Sequence, residues 1–162
     1  MPTRTPYVTT EAIGDVMTKA NFDLLSNAAV AYNTVSTSQT GISGTTQITN
    51  LGVTFTAQAS RFYLIVVQLN VNNPTSTGFV KVLLRNATPS TLNCVAETTF
   101  AATGTNVRAN MSGFYISMPS AGSVTYNAWL VVQSGTVDTA VGSDPGDPGI
   151  AWILALEIGP AF

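Results

Sequence analysis

Most of this chain reads as all-β: an antiparallel, jelly-roll-like β-sandwich, preceded by an N-terminal α-helical arm. Three observations predict that class. Beyond residue 46 the apolar residues recur with a period of two, the spacing of strands whose side chains alternate between faces. The runs carrying this period are short and are separated by Gly, Pro, Ser, Thr and Asn, with no helical stretch between them. Helical spacing is confined to one segment, 18–35.

In that segment Phe22, Leu25, Ala29 and Tyr32 follow one another at steps of three, four and three, which predicts a helix. Thr18 is placed to cap its N-terminus, although Asn21 leaves the capping box incomplete. Leu24, Ala28, Ala31 and Val35 form a second row beside the first, so the apolar surface is wider than a lone surface helix needs. Such a helix, about 25 Å long at 1.5 Å per residue, packs either on its own β-domain or against symmetry mates or a neighbouring protein. The heptad-like spacing and the small alanines favour the second solution, which makes Phe22, Leu25, Ala29 and Tyr32 the candidate interface with other copies or a neighbouring protein.

The stretch STSQTGISGTT at 36–46 keeps no period and reads as a polar, flexible connection. The expected organisation is therefore an attachment arm and helix at 1–36, a linker at 37–46 and a sandwich at 47–162. Strands are expected at 47–56, 62–71, 78–85, 92–100, 112–118, 123–133 and 150–158. The second of these is apolar on both faces over Phe62 to Val67, the mark of a central strand. Strands apolar on both faces also leave surplus surface to bury, which points to an interface.

Composition limits the chemistry. The 162 residues suit one domain, of which 45% are apolar, 9% are charged and none is His. Hydrolytic and phosphoryl-transfer sites run on clustered acids, bases and imidazoles, so assembly or binding is expected in place of catalysis, with no catalytic residues and no cofactor. The formal charge of −2 comes from scattered residues, and without a basic stripe no nucleic-acid partner is expected. Residues 1–10 lack the basic and apolar regions of a secretory signal, and the longest apolar runs fall short of the ~20 residues a membrane-spanning helix needs. Cys94 stands alone, so it is expected to be a buried small hydrophobe.

Several residues carry a chemical reading beside a plainer one. Asp144 and Asp147, in the repeat DPGDPG with Asp138 nearby, are the residues that would offer hard oxygen ligands to calcium, but Asp-Pro-Gly is also a good turn sequence and the favoured reading is a turn. Lys81, Arg85 and Glu157 are expected to face away from the core, with a long-range pair open to Glu157. Glu97 and Glu157 have no local motif for a glycosidase acid pair. Tyr115, Tyr126, Trp129 and Trp152 are placed either to fill the core or to stack on a sugar, and filling the core is the commoner role.

The opening PYVTTEAIGDVMTKANFDLLSNAA resembles the N-terminal segment of small structural proteins of tailed bacteriophages, in which Gly, then Thr, a small residue and Asn lead into a helix. The ending WILALEIGP at 152–160 is similar to the closing strand of phage appendage and capsid-surface proteins with a tumour-necrosis-factor-like jelly roll, and Gln133-Ser134-Gly135-Thr136 resembles the polar turn before it. The resemblance implies a virion protein assembled in the host cytoplasm, homotrimeric, and in contact with other virion proteins such as the major capsid or tail protein. Capsid decoration is the leading placement. A minor tail or fibre protein, or a module binding a host-surface glycan, are its alternatives.

Overall fold

The computed structural model describes residues 29–86, 92–104, 107–140 and 151–160. They form eight strands: β1 Ala29–Val35, β2 Ile42–Ala57, β3 Arg61–Asn72, β4 Gly78–Asn86, β5 Leu92–Phe100, β6 Arg108–Ser117, β7 Gly122–Ala140 and β8 Ala151–Pro160. All pairings are antiparallel. One layer runs β1-β8-β3-β6 and the other β2-β7-β4-β5. Strand β7 joins them, because its first part pairs with β2 and β4 while Asp138 to Ala140 pair with Asn70 to Asn72 of β3.

Alternation builds the core. On β3, Tyr63, Ile65, Val67, Leu69 and Val71 are all buried, and they meet Val80, Val82 and Leu84 of β4 and Val124, Tyr126, Ala128, Leu130 and Val132 of β7 from the opposite sheet. Fully burying each aliphatic side chain of this kind contributes about 1.5–3 kcal/mol, so the layers are held mainly by this interior. At one end Phe55 packs on Tyr63 and Tyr126, with ring centroids 4.8 and 6.2 Å apart. The Tyr126 hydroxyl donates to Ser117 Oγ at 2.6 Å, which ties β7 of one layer to β6 of the other.

The layers also meet along their sides. Asn33 of β1 donates through its amide to the carbonyl oxygens of Asn50 and Gly52, at 2.7 and 2.8 Å, and so satisfies the irregular middle of β2. On the other side β5 lies so close to β6 that a Cβ at Gly113 would stand 2.2 Å from the Val95 carbonyl oxygen. Glycine is required there by close approach.

All seven expected strands are present, and three expectations are corrected. Residues 29–35 form a strand, not the end of a helix; their burial alternates strictly, and Val30, Tyr32, Thr34 and Val35 are residue types that favour strands. Ala29 and Tyr32 are therefore strand residues, while 18–28, with Phe22 and Leu25, lies outside the described residues. The sandwich also begins before residue 47, since β1 and the first residues of β2 are built into its sheets. Finally, β7 does not stop at a turn near 133–136 but continues through it to Ala140. Gly135, at φ 68°, tucks under Thr75 and Ser76 there, and hydroxyl bonds from Thr75 to Thr136 and between Ser76 and Ser134 hold the strand in place.

Candidate functional site: the outward face of the β1-β8-β3-β6 sheet

Residues directly opposite in an antiparallel ladder project to the same face, so the registers define rows across the sheet. One row is Tyr32, Leu154, Val66 and Phe114; the next is Ala29, Leu156, Leu64 and Ile116. These rows face away from the core, because the alternate positions Ile65, Val67, Ile153 and Ala155 are the buried ones. Phe114 is 64% exposed, Met118 54%, Tyr32 53%, and Ile116 and Ile158 50% each. Of the seven large apolar side chains exposed among the described residues, Leu92 on β5 is the one that does not belong to or adjoin this sheet. Scattered apolar residues on a surface are ordinary, but a contiguous patch across four strands marks an interaction surface.

The face changes character along the strands. Beyond the apolar rows come Thr34, Trp152, Gln68 and Ser112, then Asn70 with Asn110, whose amide donates to Asn70 Oδ1 at 2.8 Å. The last row is Asp138, Asn72 and Arg108. Asp138 points outward between the buried Val137 and Thr139 and accepts from the Gly41 N–H at 2.8 Å and from the Asn73 amide at 2.9 Å. Asn72 Oδ1 is buried beside it and accepts no hydrogen bond among the described residues.

The outward face of the β2-β7-β4-β5 sheet is different. Thr45, Gln47 and Thr54 of β2 lie beside Thr125, Asn127 and Trp129 of β7, and Thr54 and Thr125 share a hydroxyl bond of 2.8 Å. Lys81 pairs with Glu97 at 3.2 Å and sits over the Phe79 ring, and the Arg85 guanidinium lies 5.5 Å from the centre of the Trp129 ring. Leu83 and Val131 share rows with Trp129 and Lys81 on this face, but Leu83 is covered and what meets solvent is mainly hydroxyls, amides and paired charges.

The residues singled out in the sequence are dispersed over both sheets. Lys81 and Arg85 face outward as expected, but Glu157 shares the row of Tyr63 on the inward side, where Arg61 neutralises it at 3.2 Å. Glu97 and Glu157 lie on different sheets, each with its own cation, and are not brought together. Tyr126 is buried, Tyr115 packs against the core, Trp152 lies on the outward face of the β1-β8-β3-β6 sheet in the row of Gln68, and Trp129 lies beneath Arg85 on the other sheet, so the four aromatics form no common platform. Cys94 is exposed, contrary to expectation, because a register shift in β5 leaves Val95 as an extra residue that packs on the core and turns Cys94 outward. Asp144 and Asp147 lie outside the described residues. What sequence reasoning missed was Phe114, Ile116 and Met118; their signal was apolar residues at the alternate positions of a strand whose other face is also apolar.

No protein-family model matches the chain, and no curated protein matches it. Among solved structures it is similar to the Eiger TNF protein from S. frugiperda, with a TM-score of 0.50 and 10% identity over 83% of this chain and 94% of that one. It is also similar to the globular domain of the zebrafish complement 1qA protein, with a TM-score of 0.45 and 14% identity over 82% of this chain and 97% of that one. At such identity the likeness to the first shows the fold alone, and that fold is the tumour-necrosis-factor-like jelly roll.

Proposed function

We propose that this chain is a non-catalytic structural protein that assembles with copies of itself, as a homotrimer, through the outward face of the β1-β8-β3-β6 sheet. The observation that carries this reading is the apolar rows from Tyr32 to Phe114 and from Ala29 to Ile116, in which Tyr32, Phe114 and Ile116 are half or more exposed. A second copy is the natural occupant, because the patch is apolar where it is broadest and its flanks carry an aromatic pair, Tyr32 and Phe114, in one row and a hydroxyl pair, Thr34 and Ser112, in another. The scarcity of long charged side chains lowers the side-chain entropy lost when such surfaces come together.

Within that reading the protein belongs to the surface of a tailed-bacteriophage particle, as a capsid decoration protein attached through its N-terminal segment. Support for this placement comes from the similarity of residues 6–29 and 152–160 to such proteins. The test is the stained-gel copy number of this chain in purified particles. Decoration predicts a number comparable to the capsid sites, whereas a handful of copies would move the protein to the tail and absence would remove it from the virion. Phe114→Asp is expected to abolish incorporation of the trimer while leaving the chain folded.

A further inference from the structure

The apolar exposure of the β1-β8-β3-β6 sheet continues past the two rows assigned above to self-assembly, toward the end at which the chain enters β1. Tyr63 stands opposite Ser117, so Phe62 and Met118 come next along the two strands, and Ile158 lies beside them as the extra residue of the register shift between β8 and β3. Met118 and Ile158 are each half or more exposed. The same end has an open edge. Among the described residues β1 pairs with β8 no further than Ala29 opposite Leu156, while β8 runs on from Glu157 to Pro160. The chain before Ala29 therefore arrives beside an uncovered apolar row and a strand edge with no neighbour on the β1 side.

We propose that Phe22 to Ala28 of the same chain cover this end of the sheet, with Phe22, Leu24 and Leu25 laid over Phe62, Met118 and Ile158. These residues lie outside the described ones, and their sequence, FDLLSNA, carries three large apolar side chains and one charge. Reach is sufficient. From β1 to β6 the sheet is three strand spacings wide, about 14 Å, and seven residues span at most about 23–25 Å. A segment joined directly to the rim also acts at an effective concentration of about millimolar, far above that of a separate partner, so the chain itself is the first occupant of the row. This goes beyond the self-assembly reading, because it takes the row below Ile116 and leaves Tyr32 and Phe114 to other copies. It also fixes where the attachment segment departs: residues 1–21 leave the domain from the apolar end of this sheet.

The experiment follows one thiol in the full chain. Cys94 is exposed and is removed first, by Cys94→Ser, and Met118→Cys then supplies the probe. Its rate of reaction with a soluble maleimide is compared with and without the pair Leu24→Asp and Leu25→Asp, from nanomolar to tens of micromolar chain, with thermal melts to confirm that each variant is folded. Cover by the segment predicts labelling about fivefold or more faster in the Asp variant, because reaction needs the covered site to open, and it predicts the same ratio at every concentration. Leu24→Ser with Leu25→Ser, which adds no charge, should shift the rate in the same direction by less. Thr54→Cys, on the other sheet, should label equally fast in all three backgrounds. Equal Met118→Cys rates in all backgrounds, or a Thr54→Cys response as large as that of Met118→Cys, would overturn the proposal. A difference confined to concentrations at which copies associate would overturn it too, by making a second copy the occupant. A chain that never associates yet keeps the Met118→Cys ratio would support this cover and refute the self-assembly reading alone.

Discussion

The two outward faces of this sandwich are built on the same strand geometry from the same restricted residue set, yet they have opposite characters. On the β2-β7-β4-β5 side, Thr45, Gln47, Thr54 and Asn127 meet water directly, and Lys81 and Arg85 are engaged with Glu97 and Trp129. On the β1-β8-β3-β6 side, Val66, Leu154 and Phe114 stand in one row with Tyr32. Both sheets bury their inner faces equally well, so the difference lies in what each outer face is for. One face keeps its large apolar side chains covered apart from Leu92, and the other leaves Phe114, Ile116 and Tyr32 half or more exposed, which is why the self-assembly proposed above is placed there.

The sharpest way to break this comparison is to place the same charge on both sides. Phe114→Asp is expected to weaken self-assembly by about 100-fold or more, since it puts a charge in an apolar row in place of a large aromatic that is 64% exposed in the single chain, and exposed aromatics are frequent sites of concentrated binding energy. Thr54→Asp on the other face is expected to change assembly less than twofold. Light scattering over a dilution series reads both, and equal effects would erase the distinction between the faces.

A second test separates outward from inward on one strand. Gly113→Ala, next to Phe114, forces a methyl group onto the Val95 carbonyl and is expected to lower monomer stability by about 1–3 kcal/mol in urea unfolding. Phe114→Asp should leave that transition nearly unchanged. On the opposite side of the sandwich, Asn33→Ala removes the amide that serves the Asn50 and Gly52 carbonyls and is expected to cost about 1–2 kcal/mol.

The smallest effect concerns pH. Burial pushes the Tyr126 hydroxyl above the usual phenol range, a rise offset in part by its bond to Ser117. The unfolded chain then loses this proton first, so the contribution is fully present below about pH 10 and is lost as pH rises through the folded value. Tyr126→Phe should flatten that alkaline decline, seen as a melting temperature that changes less between neutral and alkaline buffer.

The strands legible in the sequence were those whose apolar residues fit a period of two and no helical row, and β3 shows why. Tyr63 to Val71 place every second side chain in the core, and no helical period fits them. Strand β1 was hidden because Ala29 and Tyr32 also fit a helical row, and seven residues are too few for one period to exclude the other. The end of β7 was hidden because Ser134-Gly135-Thr136 has turn chemistry, which here serves a hydroxyl clasp to Thr75 and Ser76. The candidate interface was legible only as surplus apolar surface. Its location required the cross-strand register, which no single run of residues carries.

The most direct test of the central claim is the solution mass of the full wild-type chain from nanomolar to tens of micromolar concentration. Closure of the open sheet by other copies predicts a plateau at three times the 16.9 kDa chain mass, with dissociation on dilution. A mass of 16.9 kDa across the whole range, with the chain folded, would contradict it.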